Sequence, residues 1–186
     1  MTGIDPDILE HYRSADEGSR LQQAHGRLER LRTEALLGRH LPAAPAHILD
    51  VGGATGVYAR WLVGLGHTVH LVDPVPGHVE QALDPPTAGL TAAVGDARSL
   101  EVADASFDAV LLLGPLYHLI DRDDRVRALA EARRAVRPGG PVLAASISRF
   151  AALLDGLSGG FLADPAFAVA ALETAATGQH RNDTGN

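Results

Sequence analysis

Apolar residues recur at helical spacing from about Arg20 to His40. Leu21, Leu28, Leu31, Ala35 and Leu36 fall on this period with Arg and Glu between them, and Pro42 and Pro45 end the helix they predict. Ile48 to Val51 is a short apolar run that predicts a strand. Val57 to Leu65 predicts the helix after it, stopped by Gly64 and Gly66. The alternation then repeats: strand 67–73, helix 77–83, a turn at "DPPTAG", strand 90–97 and strand 107–114. A helix follows over 122–136, with Val126, Leu129, Ala130 and Arg133 marking its turns and its charges facing water. "RPGG" stops it, and strand 141–148 completes the series. The run "FDAVLLLG" is continuous enough to be buried on both faces.

Strands alternating with helices imply right-handed crossovers and a parallel sheet with helices on both faces. Residues 150–178 read as mostly helical, and "TGQHRNDTGN" has no periodicity. The pattern predicts one domain over 1–186: a helical cap (1–45), an α/β core (46–149), a helical segment (150–178) and a polar tail (179–186).

Composition narrows the function. The net charge of −7 weighs against a broad nucleic-acid surface, which needs clustered Lys and Arg. The chain has no cysteine, so disulfides, thiolate metal sites and cysteine nucleophiles drop out together. His67, His70 and His78 are too scattered to suggest a metal site. The N-terminal stretch has no basic segment followed by an apolar run, and no apolar stretch is long and clean enough to span a bilayer. The expected setting is soluble and cytoplasmic.

Ligands of an open parallel sheet lie beyond the carboxyl ends of its strands. The unusual residues cluster there: Asp50 to Gly56 after the first strand, Asp73 after the second, Gly95-Asp96-Ala97 after the third, Gly114 to His118 after the fourth. Gly52 and Gly53 allow a sharp turn and a close backbone approach, and Gly56 lets the next helix pack tightly. A bare strand–helix turn explains the glycines alone. A phosphate loop does not fit, because Gly56-Val57-Tyr58 has no lysine to reach a phosphate. "GATGVYA" resembles the nicotinamide fingerprint, with Ala59 in the third place, but Asp50 would bring negative charge to a pyrophosphate. A ligand with a cationic centre and an amino-acid end is the third reading.

The segments "ILDVGGATG", "VHLVD", "VGDA", "FDAVLLL" and "RPGG", in this order, resemble the class I S-adenosylmethionine-dependent methyltransferases over residues 46–149. The resemblance implies a Rossmann-like, doubly wound, mostly parallel α/β sheet with an N-terminal helical lid. In the family's Asp/Glu-x-Gly-x-Gly-x-Gly motif, Asp50, Gly52 and Gly56 match, Ala54 replaces the middle glycine and Gly53 is extra. The resemblance places Asp50 near the methionine amino group, Asp73 on both ribose hydroxyls, and Asp96 and the Ala97 N–H on the adenine. Pro74 and Val75 would line one adenine face and Leu100 the other, with Leu113 beside the methionine moiety and Tyr12 and Arg20 in the lid. It puts the methyl acceptor near Tyr117 and His118, where His118 would serve as base. "GPLY" lacks the polar first residue that amino-methylating enzymes use.

The expected function is methyl transfer from S-adenosylmethionine to a small molecule through an oxygen, carbon or nitrogen nucleophile, with no nucleic-acid or membrane partner and no metal. The family's usual two strands after the fifth are not legible here. Either the chain is a shortened version of a longer protein, or helices or a partner chain replace that hairpin; shortening would expose the edge of the fifth strand and invite a homodimer or aggregation. Two alternatives stay open: a cofactor-binding module without turnover, and a nicotinamide-dependent oxidoreductase.

Overall fold

A computed structural model describes residues 24–179. They divide into two compact units, one ending at Ala145 and the other beginning at Ser146. Tyr12 and Arg20 lie outside the described residues.

The first unit runs α1 (Ala24–His40), β1 (His47–Val51), α2 (Val57–Gly64), β2 (Thr68–Asp73), α3 (Pro76–Leu83), β3 (Leu90–Val94), β4 (Ala109–Leu112), α4 (Pro115–His118), α5 (Arg122–Ala135) and β5 (Val142–Ala144). The strands form one sheet in the order β3-β2-β1-β4-β5. Every pairing is parallel, with Asp50 beside Leu71 and Leu111, and Asp73 beside Val94. The chain order reverses between β1 and β4, the switch point where an open α/β sheet leaves a crevice for ligands.

The period-two alternation of the strands sorts the core into two layers. Ile48, Val69, Leu71, Ala109 and Leu111 face Leu37 of α1, Ala59 and Leu62 of α2 and Ala82 of α3. Leu49, Val51, Val72, Val110 and Leu112 face Ala128, Ala132 and Ala135 of α5. All four residues of β4 are buried, as its unbroken apolar run implies. Arg60 secures the "DPPT" turn, donating to the carbonyls of Gln81, Ala82, Asp84 and Pro85 and to Thr87 Oγ1.

Three local expectations change. The α1 leucines chosen by spacing face outward (Leu28 is 72% exposed), and Leu37 is the one that enters the core. In α5 the seam is alanine, not Val126 and Leu129, which are exposed. Small side chains let that helix lie close to a sheet already covered with Val and Leu, and larger residues on the same stripe would hold it off. The last strand stops at Ala144 rather than at 148. Among the described residues no strand follows it.

The second unit holds α6 (Ala151–Gly159), a 3-10 turn (Phe161–Ala163) and α7 (Pro165–Thr177). Asp164 caps α7, accepting from the Ala166 N–H at 2.9 Å, with Pro165 at the first helical position. Gly156 lets α6 and α7 meet, since a Cβ there would come 2.5 Å from the Phe167 ring. Among the described residues no helix is long and apolar enough to cross a membrane.

Candidate functional site

The loop between β1 and α2 is shaped by close approach. The Gly52 N–H donates to the Val72 carbonyl at 2.7 Å, in a left-handed conformation (φ +70°). A Cβ there would come 2.7 Å from the Pro115 ring, so the loop is pressed against the start of α4. A Cβ at Gly53 would come 2.7 Å from both Asp50 Oδ2 and Leu71 Cδ1. The unexpected one-turn helix α4 thus braces the loop from the far side of the switch point, and Gly56 caps α2.

Asp50 lies beneath this loop and is 1% exposed. Its Oδ2 has no hydrogen-bond partner. Burial, and after it the charge of Asp73, pushes its carboxyl up to about 7.

Asp73, at the end of β2, is also buried. Its Oδ2 accepts from the Ala54 N–H at 2.9 Å, and its Oδ1 accepts from the Val75 N–H at 3.0 Å. His78 Nδ1 stands 3.0 Å from the same Oδ1. Ala54 holds φ +47°, a conformation suited to the glycine that the family motif carries there. Asp73 is therefore both a candidate ligand and the clasp between the β2 tip and the glycine loop.

His78 is the residue that sequence reasoning left out of the site. The signal was its place five residues after Asp73, with the helix-starting Pro76 between them. The first turn of α3 folds it back onto the strand end.

Beyond β3, Asp96 accepts from the Arg98 N–H at 2.8 Å and from its guanidinium at 2.6 Å (Nη2). Burial raises the Asp96 carboxyl, but the hydrogen bonds and charge of Arg98 more than offset it, and the group titrates below its ordinary value. Arg98 also donates to Asp124 of α5 at 2.7 Å, which fixes the Asp96 loop to the sheet's other layer. Leu100 is buried beside this loop, and Ala97 packs against the same layer. Val75 is buried at the start of α3, with Pro74 half-buried before it.

After β4, Leu113 packs on the α2 side of the sheet. The Tyr117 hydroxyl donates back to the Leu113 carbonyl, and the Tyr117 and His118 rings lie 5.0 Å apart. The strand order puts Asp50, the glycine loop, Asp73, Asp96 and the Tyr117–His118 turn all on the carboxyl edge of one sheet.

A five-stranded parallel sheet wound this way, with a glycine loop at its switch point and acids on the neighbouring tips, defines a Rossmann-like α/β protein. Residues 48–140, half of the chain, match the family model described as a methyltransferase domain, and the chain belongs to the class I S-adenosylmethionine-dependent methyltransferases. An uncharacterized methyltransferase of Mycobacterium tuberculosis is 38% identical over 102 residues, 54% of this chain and 39% of that protein. The ubiquinone biosynthesis O-methyltransferase of Methylocella silvestris is 32% identical over 132 residues, 69% of this chain and 50% of that protein. The chain thus spans half or less of the length of these curated relatives. The crystal structure of the PH0226 protein of Pyrococcus horikoshii superimposes with a TM-score of 0.61 at 23% identity, covering 73% of this chain and 64% of that one, and shows the same fold.

S-adenosylmethionine is the cofactor of the family, and the residues present fit it. The backbone at Gly52 and Gly53 is bare of Cβ atoms, and a buried carboxylate oxygen with no partner lies directly beneath. That pairing suits a ligand whose amino-acid end is cationic better than it suits a pyrophosphate.

Proposed function

We propose that this chain transfers the methyl group of S-adenosylmethionine to an oxygen, carbon or nitrogen nucleophile of a small molecule. The observation that carries the reading is the Ala54–Asp73 hydrogen bond, which locks the glycine loop to the acid on the next strand tip. One preorganised edge results, with carboxylates at Asp50, Asp73 and Asp96.

When bound, S-adenosylmethionine supplies an electrophilic methyl on a sulfonium sulfur. The chain's own groups position the reactants, and proximity and orientation lower the barrier of a transfer between two bound molecules. Asp73 holds the ribose. Asp96 accepts from the adenine amino group while the Ala97 N–H donates to the ring, and Pro74, Val75 and Leu100 flank it. Asp50, under the loop, favours a positive charge above it. Leu113, Gly114 and Pro115 carry the chain past the methionine end to α4, and His118 takes the proton of a hydroxyl or enol acceptor, with Tyr117 beside it.

Titration calorimetry with S-adenosylhomocysteine tests the reading. Binding to the wild-type chain is expected, with Asp73→Ala weakening it at least about tenfold, the scale of one lost charge-assisted hydrogen bond. No binding, or equal binding by the variant, overturns it.

A further inference from the structure

We propose that His78 restricts Asp73 to a single ribose hydroxyl, so that this chain holds one of the two hydroxyls of its cofactor and leaves the other unheld. The inference rests on the reading of Asp73 as the ribose acid and follows from counting its acceptor sites. A carboxylate offers about four lone-pair sites, two on each oxygen. Oδ1 is filled by the Val75 N–H and by His78 Nδ1, each at 3.0 Å. Oδ2 takes the Ala54 N–H at 2.9 Å, leaving one site. His78 Nδ1 is the donor of its pair, because an ionised carboxylate has no proton to give.

The three donors are not equally removable. The Val75 N–H belongs to the cap of α3, and the Ala54 N–H belongs to the glycine loop. Moving either unwinds a helix start or the loop itself. His78 reaches Asp73 by side-chain rotation alone, from the first turn of α3, and is 5% exposed. It is thus the group that decides whether Oδ1 faces a ligand. A vicinal diol gripped through both hydroxyls needs an acceptor site on each oxygen, and His78 occupies the second one.

The test uses S-adenosylhomocysteine and its 2′-deoxy and 3′-deoxy analogues in calorimetry. On the wild-type chain, one analogue is expected to bind within about twofold of the parent and the other about tenfold more weakly, one charge-assisted hydrogen bond being at stake. His78→Leu opens Oδ1, so the parent is expected to bind about three- to tenfold more tightly, and both analogues then fall behind it. His78→Asn, which can keep an N–H near the Nδ1 position, retains the wild-type pattern.

Both analogues losing affinity on the wild-type chain, both binding like the parent, or His78→Leu weakening the parent would each overturn the proposal. A merely structural histidine gives the last of these results. The analogue pair needs no substitution, so it decides the question even where His78→Leu does not fold. A wild-type chain that binds the parent but fails these patterns sinks this inference alone, whereas one that binds none of the three sinks the proposed function with it.

Discussion

Gly53 is the cover of Asp50: a Cβ at residue 53 would stand 2.7 Å from the Asp50 Oδ2. The glycine loop and the acid at the end of the first strand therefore form one object. The loop can lie low over β1 only because residue 53 has no side chain, and the carboxylate is sealed from water because the loop lies low.

Gly53→Ala tests that object directly. The new methyl meets the Asp50 carboxylate and Leu71 together, and Leu71 is fully buried and cannot withdraw. Urea unfolding is expected to show a loss of about 1–3 kcal/mol, the usual range for overpacking. An unchanged midpoint would mean the loop sits higher than described.

Asp50 also makes stability depend on pH. Its folded-state value of about 7 lies above the ordinary 3.8, so between the two the folded chain holds a proton that the unfolded chain has released. Stability then falls as pH rises through this window and levels off above about 7. At about 1.4 kcal/mol per pKa unit, the decline between 3.8 and about 7 is on the order of 4–5 kcal/mol. Asp50→Asn removes the ionisation, and its unfolding free energy is expected to stay level in Asp50's share of that window. Parallel profiles for the two chains would assign the pH dependence elsewhere.

Ala54 offers a stabilising change. A left-handed alanine costs about 1–2 kcal/mol. Glycine removes this but loses about 0.5–1 kcal/mol through greater freedom in the unfolded chain. Ala54→Gly is therefore expected to be neutral or stabilising by up to about 1.5 kcal/mol, with the N–H to Asp73 retained. A clear drop in melting temperature contradicts the backbone described for this loop.

His118 and Tyr117 are assigned to the acceptor side, and that assignment predicts a separation. His118→Ala and Tyr117→Phe are expected to leave the affinity for S-adenosylhomocysteine within about twofold. With an acceptor in hand, His118→Ala is expected to lower turnover by about 10²-fold or more, the scale of general-base catalysis. Loss of cofactor affinity in either variant would place these residues on the wrong side of the site.

The sheet was legible in the chain because its signals are local. Short apolar runs and the glycines and prolines at the turns identified all five strands, acids at or near the ends of β1, β2 and β3 marked those three, and the buried run of β4 could be recognised by its continuity. The helix faces were less legible. In α5, Val126 and Leu129 carry the stronger hydrophobic signal, yet Ala128, Ala132 and Ala135 face the sheet. Periodicity locates a helix but does not weigh a small residue that permits close approach against a large one that forbids it.

By itself, the order of residues determined which groups stand at the strand tips, because a strand's end and the loop after it are covalent neighbours and a parallel sheet gathers such ends on one edge. Only the tertiary structure decided what those groups are free to do. Asp50 lost its solvent to a glycine that folds back over it, and Asp73 gained three donors from the loop, the cap and α3. Desolvation and the filling of lone pairs depend on atoms brought in from other segments, and no local pattern records them.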